Sequence, residues 1–429
     1  MNASPPPDST PLLPERAEAS AVIRDCLLVV PLGMVIGSAC AAFLWTLDAV
    51  TKIRMNVAFM LYLLPLAGVG LGWLYTHFGR STNGGNDLVI TAIRSAGSVP
   101  RRMAPMIFSS TLITHLFGGS AGREGTAVQM GAGIASAACG LLPLSASSRQ
   151  TLLLSGVTAG FGGVFGTPAA GAIFGMEMLM QKRPALWMLI PSALAAFISD
   201  WTCQRWGISH TKYSVALPPG KLLGGFFHTD LPLFAKILGA AILFGSAAKV
   251  FANASHSSRT FLEKHIASPY MRPLVGGTLV IALAALVGDQ YLGLGTFSTD
   301  PNALTISSFF TSGELSSWPW FWKAVFTICT LSFGFKGGEV TPLFFIGASL
   351  GHSISGFASA PADLFAALGL ASVFAAASHT PIACAIMGCE LFGTGFALYF
   401  SACCFVAHWV SGRSTIYRSQ FDSAQPTSR

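Results

Sequence analysis

Long apolar stretches, separated by short polar breaks, run through the chain from about residue 21 to residue 410. Hydrophobic residues make up 52% of the 429 residues and charged residues only 10%, whereas a water-soluble domain carries about 25% charged residues. A helix needs about 20 consecutive apolar residues to span a bilayer, and several stretches have that length. The sequence therefore predicts an all-α protein that crosses the membrane several times.

The turn-forming residues indicate that many of these helices are short or broken. The chain has 46 glycines and 24 prolines, which is more than simple spanning helices need. Broken helices are tolerated in a bilayer where protein covers the freed backbone groups or where those groups line a cavity. We therefore expect interrupted helices around an internal site.

The composition divides the chain into five regions. Residues 1–20 are rich in proline and serine, lack an apolar core and are expected to form a disordered N-terminal tail. The first membrane repeat covers 21–210, a connector covers 211–231, and the second membrane repeat covers 232–420. Residues 421–429 form a C-terminal tail.

Charge and cysteine usage exclude several kinds of site. The net charge of +7 comes without a long basic run, so we expect basic cytoplasmic loops and no nucleic-acid partner. The nine cysteines form no C-x-x-C pair and show no Cys/His ligand spacing. We therefore expect reduced cysteines, no metal site and no cofactor.

One motif occurs in both halves of the chain. Thr167–Glu177 reads TPAAGAIFGME and Thr380–Glu390 reads TPIACAIMGCE, so both follow the pattern T-P-x-A-x-A-I-x-G-x-E. Residues 122–125 (GREG) precede the first copy at about the distance at which 337–340 (GGEV) precede the second. The sequence thus predicts an internal repeat, and repeat-built transporters place interrupted helices at a mid-membrane binding site.

The stretch Gly118–Met130 places an arginine and a glutamate side by side between glycines, inside apolar sequence. A carboxylate at membrane depth is costly and marks a functional site. The glycines let the backbone turn tightly and point N–H groups at a ligand. A helix that begins near Glu124 adds the positive end of its dipole, so we expect Glu124 and a foreign anion to compete for one place.

These residues resemble the CLC family of anion channels and anion/proton antiporters. The resemblance rests on 122–125 (GREG), 163–177 (GVFGTPAAGAIFGME) and 337–342 (GGEVTP), which follow the family's order, and it spans about 22–420. It implies a CLC-type fold of two inverted-topology helical repeats with broken helices, about sixteen to eighteen in all. It also implies a homodimer with one pore per subunit, and it makes Glu124 the gating glutamate that carries protons.

At three places the sequence departs from the usual family motifs. With these changes it resembles the bacterial fluoride/proton antiporter branch, CLC-F. Residues 84–88 read GGNDL in place of GSGIP, so that Asn86 stands at the position of the serine. Thr126 replaces the proline after GREG, and 338–342 (GEVTP) replace the usual G-x-F-x-P. Chloride/proton exchangers also carry an inner glutamate where this chain has Met178.

The resemblance thus implies a membrane protein that exports fluoride in exchange for protons across the bacterial cytoplasmic (inner) membrane. Fluoride and protons are the expected transported ions, lipids the surroundings, and the protein is not expected to be an enzyme. Because fluoride is small and strongly hydrated, its water must be replaced by well-aimed hydrogen-bond donors. The candidate anion-binding residues are Gly85, Asn86, Arg123, Gly125, Val340, Thr341 and Tyr417.

Three further acids need separate interpretations. Glu339 lies beside the expected anion site, and three alternatives stay open: it is protonated, it pairs with Lys336 three residues earlier, or it binds a cation such as sodium. Glu177 and Glu390 occupy equivalent positions of the repeated motif. For both we favour bonding to backbone N–H groups over proton transfer.

Two other functions compete with fluoride export. A chloride/proton antiporter or a passive chloride channel on the same fold is the first. An intramembrane hydrolase that uses Ser155 or one of the acids is the second, but the sequence has no G-x-S-x-G elbow and no H-E-x-x-H pair.

Overall fold

A computed structural model describes residues 19–179, 186–211, 213–216, 230–298, 303–311 and 315–421. Within these ranges all named elements are helices, fifteen α-helices and six short 3-10 segments, which confirms the all-α prediction. The expected N-terminal tail lies outside the described residues except Ala19 and Ser20, which open the first helix. The expected connector and C-terminal tail lie largely outside them.

The first half of the chain forms eight α-helices before the connector. They are α1 (Ala19–Asn56), α2 (Leu64–His77), α3 (Gly85–Arg94), α4 (Met103–Leu116), α5 (Glu124–Cys139), α6 (Ala146–Phe165), α7 (Pro168–Met178) and α8 (Leu189–Arg205). The second half forms seven more. They are α9 (Leu231–His265), α10 (Met271–Val287), α11 (Pro319–Ser332), α12 (Val340–Ala358), α13 (Ala362–Ser378), α14 (Pro381–Phe392) and α15 (Ala397–Ser411).

The helices of the two halves correspond in order, length and packing. Helices α1, α2 and α4–α8 match α9, α10 and α11–α15, and the 3-10 segment Ile306–Phe310 stands where the first half has α3. The pair α5 and α6 packs as α12 and α13 do, and α1 packs on α8 as α9 packs on α15. The halves meet through α7 against α14 and α2 against α10. This correspondence is the structural counterpart of the repeated motif.

Local sequence explains how the helices of the repeated motif start and stop. The Ser145 hydroxyl accepts a hydrogen bond from the Ser148 N–H at 3.2 Å and caps α6. Gly166, at φ +73°, ends α6 in the left-handed region that suits glycine. Pro168 then opens α7, where its fixed φ fits and its missing N–H has no helical partner to lose.

Two glutamates tie the halves together at equivalent points. The Glu177 carboxylate of α7 accepts the Ile382 and Ala383 N–H groups at the start of α14, at 3.1 and 2.7 Å. The Glu390 carboxylate of α14 accepts the Ala169 and Ala170 N–H groups at the start of α7, at 3.0 and 2.8 Å. Each glutamate thus caps the helix that carries the other. This confirms the interpretation that both acids bond to backbone N–H groups.

Six described helical segments are long and apolar enough to cross a membrane, among them those at Ala19–Asn56 and Leu231–His265. Helices α5, α6, α12 and α13 are nearly fully buried and form the centre of the protein. Glycines allow close approach there, since a Cβ on Gly131 would lie 2.0 Å from the Gly156 carbonyl oxygen. The equivalent contact joins Gly347 and Gly369, where the same distance is 2.1 Å.

Candidate functional site

The site forms where two non-helical segments meet, one directly before α5 and one directly before α12. The Gly122 N–H donates to the Gly338 carbonyl at 2.6 Å, and the Gly338 N–H donates to the Gly122 carbonyl at 2.9 Å. A side chain has no room here, because a Cβ on Gly122 would lie 2.9 Å from the Thr341 nitrogen. This antiparallel bridge joins equivalent segments of the two repeats and brings the N-termini of α5 and α12 together.

The Glu124 side chain crosses from the start of α5 to the start of α12. Its Oε2 accepts hydrogen bonds from the Thr341 N–H at 3.1 Å and from the Thr341 hydroxyl at 2.5 Å. The residue is 1% exposed. The carboxylate thus satisfies one of the N–H groups that a helix start leaves without an internal partner, at the positive end of the α12 dipole.

Arg123 completes the surroundings of this carboxylate. Its Nε lies 3.3 Å from Glu124 Oε1, and its backbone N–H donates to Glu124 Oε2 at 3.3 Å and to the Thr341 hydroxyl oxygen at 3.4 Å. The Arg123 side chain is 23% exposed and that of Glu124 is 2% exposed. The guanidinium therefore stands between the buried acid and the nearer aqueous opening.

Helix α3 brings Asn86 and Gly85 to the start of α5. The Asn86 Nδ2 atom lies 3.3 Å from the place of a Cβ on Gly125, so a glycine is needed at that position. The Asn86 Oδ1 atom is buried without a hydrogen-bond partner among the described residues. Gly85 has φ +55° and lies close to the Gln129 amide. The structure thus brings Gly85, Asn86 and Gly125 to one place.

Val340 and Thr341 open α12 and are both 2% exposed. One turn later, Phe344 stands against Phe165 and Phe374, with ring centroids 5.0 and 5.3 Å apart. This aromatic group makes the surroundings of the Glu124 carboxylate apolar. An ion at the carboxylate's place is therefore held by hydrogen bonds with little help from water.

Tyr417 is 3% exposed and lies in a C-terminal segment, 414–421, that is bonded to four helices. Asp87 of α3 accepts the Ser419 N–H and hydroxyl at 2.9 and 2.8 Å, and Arg94 of α3 donates to the Ser419 and Gln420 carbonyls. His256 of α9 bonds the Thr415 carbonyl, and the Ile416 N–H donates to a carbonyl at the end of α13. Gln420 also donates to the last residue of α7, the buried Met178.

Two cavities approach the site from opposite directions. A small one, of about 30 Å³, is lined by Arg123, Glu124, Thr341 and Phe344 together with His210 and Tyr213. A large one, of about 620 Å³, is lined by Gly85, Asn86, Gln129, Lys336, Glu339 and Tyr417. The bridge between Gly122 and Gly338 and the two helix starts lie between them. Of the predicted site residues, Arg123, Glu124 and Thr341 line the small cavity, and Gly85, Asn86, Lys336, Glu339 and Tyr417 line the large one.

The alternative that Lys336 pairs with Glu339 is wrong. The Lys336 amine donates to Asn83 Oδ1 at 2.9 Å and lies over the Tyr75 ring at 4.2 Å from its centroid. No ion pair involves Glu339 within the described part of the chain. Both residues line the large cavity, where they face the same water-filled space without touching.

Sequence reasoning missed the residues that surround the site from loops. Asp200 lies in α8, whereas His210 and Tyr213 follow that helix. The first two fall within the predicted first membrane repeat and Tyr213 within the predicted connector, and no role was predicted for any of them. They were missed because no local pattern distinguishes them. One signal was present in the motif, since Gly166 lies directly against the His210 ring.

Ser155 is placed where a nucleophile cannot be activated. It is fully buried in α6, and its hydroxyl has no hydrogen-bond partner among the described residues. A serine nucleophile needs a base within hydrogen-bond reach. The hydrolase alternative therefore has no structural support at this residue.

The arrangement around Glu124 can exchange one anion for another. Glu124 Oε2 accepts two hydrogen bonds from Thr341 and one from the Arg123 N–H, at the start of a buried helix. If the carboxylate were protonated, its attraction to these donors and to the helix dipole would fall. A small anion could then take its place.

Comparison with known proteins agrees with this geometry. The sequence profile of the voltage gated chloride channel family matches residues 67–412. A chloride/fluoride channel protein of Pseudomonas syringae pv. tomato is 37% identical over 416 residues, which cover 95% of this chain and 88% of that protein. A putative chloride channel protein, ClcB-like, of Ralstonia nicotianae is 25% identical over 360 residues, 77% of each chain.

Solved structures give the same result. The crystal structure of a CLC-type fluoride/proton antiporter matches with a TM-score of 0.87 and 33% identity over 94% of this chain and 99% of that chain. A slow cyanobacterial Cl⁻/H⁺ antiporter matches in fold, with a TM-score of 0.76 and 17% identity over 92% of this chain and 96% of that chain. These matches confirm the CLC-type fold of two inverted repeats. The chain belongs to the voltage gated chloride channel (CLC) family.

Proposed function

We propose that the protein is an antiporter that exports fluoride across the bacterial cytoplasmic membrane in exchange for protons. The observation that carries the proposal is the Glu124 carboxylate, which is bonded to the N–H and hydroxyl of Thr341 at the start of α12. A carboxylate oxygen in this place occupies the position of an anion ligand. During transport, the Glu124 carboxylate and fluoride occupy this position alternately.

Proton coupling follows from the burial of Glu124. The residue is 1% exposed, and its Oε2 accepts three hydrogen bonds, which stabilise the charged carboxylate more than the neutral acid. When fluoride arrives, two anions cannot share these donors, and Glu124 leaves as the neutral acid. One proton thus moves each time the carboxylate gives up its place. The relative and the solved structure that are named for fluoride support this assignment.

Fluoride selectivity is assigned to Asn86 and Thr341. Both offer donors on short side chains, the Asn86 amide NH2 in the lining of the large cavity and the Thr341 hydroxyl at the start of α12. Fluoride is the halide that gains most from short hydrogen bonds. In Asn86→Ser, which restores the serine usual in the family, we expect chloride to be transported alongside fluoride.

The distribution of charge gives the orientation. The large cavity is lined by more bases (Arg80, Arg259, Arg272, Lys336 and Arg418) than acids (Asp87, Glu263 and Glu339). Because basic loops stay in the cytoplasm, the large cavity opens inward and the small one outward. This orientation suits a multi-pass protein of the bacterial inner membrane.

Homodimerisation and lipid contact belong to the same proposal. Apolar side chains such as those of Leu286, Phe357 and Trp409 are 76 to 85% exposed, which suits lipid or a second subunit. All of the site residues come from one chain, so each subunit has its own pathway. Cross-linking in membranes tests the dimer independently of transport.

For Glu339 we propose that it is either a neutral acid or a cation ligand in the large cavity. The Lys336 amine is engaged by Asn83 and Tyr75, which leaves these two of the three original interpretations. A neutral acid donates a hydrogen bond to fluoride, whereas sodium would attract fluoride electrostatically. The two interpretations of Glu339 predict a different dependence of fluoride transport on sodium.

Electrode-monitored halide efflux from liposomes tests the proposed function. Vesicles loaded with equal fluoride and chloride are expected to release fluoride much faster, and a proton gradient is expected to drive fluoride uphill. Equal rates for the two halides would remove the fluoride assignment. Fluoride release without any proton movement would make the protein a channel.

Chloride transport, coupled or passive, is the second candidate. The large cavity is lined by Arg80, Arg259, Arg272 and Arg418, whose charge attracts any halide. The name of the Pseudomonas relative also includes chloride. The same efflux experiment separates this candidate, because it predicts that chloride keeps pace with fluoride.

A further inference from the structure

A histidine and an aspartate form a pair beside the small cavity. His210 Nε2 lies 3.4 Å from Asp200 Oδ1, and the Gln204 amide donates to Asp200 Oδ2 at 2.8 Å. Their side chains are 15% and 12% exposed, so the pair is reachable by water but largely enclosed. An aspartate beside an imidazole orients the ring and favours its protonated form.

The His210 ring is held in a defined position. It packs flat against Gly166, where a Cβ would lie 2.4 Å from its Cδ2 and 2.5 Å from its Cγ. Gly166 has φ +73° and separates α6 from α7. With Nε2 directed at Asp200, Nδ1 is the remaining ring nitrogen, and no described residue forms a hydrogen bond with it. This nitrogen is free to exchange a proton with water.

His210 shares the small cavity with Glu124. The cavity has a volume of about 30 Å³, and one water needs roughly 10 to 15 Å³ by this measure. One or two waters therefore fit between the imidazole and the carboxylate. Thr211 and Thr341 also line the cavity and offer hydroxyl groups to such waters. A proton can pass along a path this short without a further titratable group.

The charges that face His210 come from several elements. Asp200 of α8 favours the imidazolium, Arg123 of α5 opposes it, and Glu124 of α5 favours it while ionised. Tyr213 of the same loop lines the cavity. Glu390 of α14 lies within electrostatic range of Asp200.

We propose that His210, oriented by Asp200, is the group that exchanges protons between the outer solution and Glu124. This inference rests on the proposed role of Glu124 as a proton carrier. A proton from outer water binds His210 Nδ1, while Asp200 stays ionised and supplies the counter-charge 3.4 Å from Nε2. The Nδ1–H then gives its proton through a cavity water to a Glu124 oxygen. The imidazole returns to its neutral form, and Glu124 leaves the Thr341 donors as the acid.

The test uses the full-length protein in liposomes, with fluoride followed by electrode and pH recorded in weak buffer at pH 7.5. His210→Ala is expected to slow fluoride efflux and proton uptake together by about tenfold or more, with an unchanged proton-to-fluoride ratio. Imidazole at millimolar concentration is expected to restore both rates in His210→Ala, since the deleted ring leaves room for it. The matched control is His265→Gln, an exposed histidine at the far end of α9, which is expected to behave as wild type with and without imidazole.

Asp200→Asn provides a second variant that keeps the ring and its packing. It is expected to shift the pH at which transport is half-maximal downward, because the imidazolium loses its counter-charge. Wild-type rates in His210→Ala, or slow rates that imidazole leaves unchanged, would overturn the proposal. If wild-type protein moved fluoride without protons, the proposed antiport itself would fail, and this result is distinguishable because it needs no variant.

Discussion

Thr341 holds the Glu124 carboxylate with two groups at once, its backbone N–H at 3.1 Å and its hydroxyl at 2.5 Å. The backbone N–H is one of the donors that the first turn of α12 leaves without a partner inside the helix. The hydroxyl adds a second donor to the same carboxylate oxygen. An ion that replaces the carboxylate meets the same two donors. In the proposed function, this residue pair combines the gate and the anion site at the start of α12.

Thr341→Val is expected to weaken fluoride binding while keeping the shape of the side chain. A hydrogen bond to a charged group contributes about 1.5 to 3 kcal/mol, so fluoride affinity is expected to fall by about one order of magnitude or more. Isothermal titration of the purified protein measures this change. Thr278→Val, which removes an exposed hydroxyl on α10, serves as the control. An unchanged affinity in Thr341→Val would show that the hydroxyl does not touch the ion.

Asp87→Asn is expected to loosen the segment that carries Tyr417. The Asp87 carboxylate accepts both the N–H and the hydroxyl of Ser419, and charged acceptors are the stronger ones. Faster amide hydrogen exchange is expected in residues 414–421, together with fluoride flux that is less tightly coupled to protons. Asp48→Asn removes an exposed acid far from this segment. It is expected to change neither the amide hydrogen exchange of residues 414–421 nor the coupling of fluoride flux to protons. Unaltered exchange in Asp87→Asn would exclude this anchoring role.

Glu177→Gln and Glu390→Gln are expected to lower stability and leave the proton-to-fluoride ratio unchanged. Each variant replaces a charged acceptor of two helix-start N–H groups with a neutral one that has a single acceptor oxygen. We expect each to lose about 1 to 3 kcal/mol and to unfold at lower temperature in detergent. The equivalent contacts predict similar losses for the two variants. A stable Glu177→Gln protein with lost coupling would instead place Glu177 on the proton path.

The repeated motif and the Lys336–Glu339 pair show which contacts can be predicted from the sequence and which cannot. The repeated motif predicted two matching halves and the bonding of Glu177 and Glu390 to backbone N–H groups, but it did not predict that each glutamate bonds the start of the helix that carries the other. The pairing of Lys336 with Glu339 failed for a definite reason. Residues three apart face each other in a helix, but Lys336 lies in the break between α11 and α12, where Gly334 has φ +106°.

Contacts between distant loops were beyond the reach of sequence patterns. His210 reaches the small cavity only because Gly166 of the first motif admits the ring. Likewise, Tyr417 was assigned as the only tyrosine of its stretch, whereas the bonds of Asp87 and Arg94 to the neighbouring residues could not be foreseen. Such contacts depend on how whole helices are arranged in space.

The two interpretations of Glu339 make opposite predictions for sodium. If Glu339 is a neutral acid, replacing sodium with N-methyl-D-glucamine on both sides of the liposome membrane is expected to leave fluoride efflux unchanged. If it binds sodium, efflux is expected to stop or slow severely, and Glu339→Gln is expected to lose the sodium dependence.

The most direct test is the simultaneous recording of fluoride and proton movement in Glu124→Gln liposomes. Glutamine keeps the size of the side chain but carries neither a charge nor an exchangeable acid proton. We predict that fluoride flux, where it persists, no longer moves protons, while Asp48→Asn, at an exposed acid that lines neither cavity, keeps the wild-type ratio. Fully coupled fluoride/proton exchange in Glu124→Gln would contradict the account.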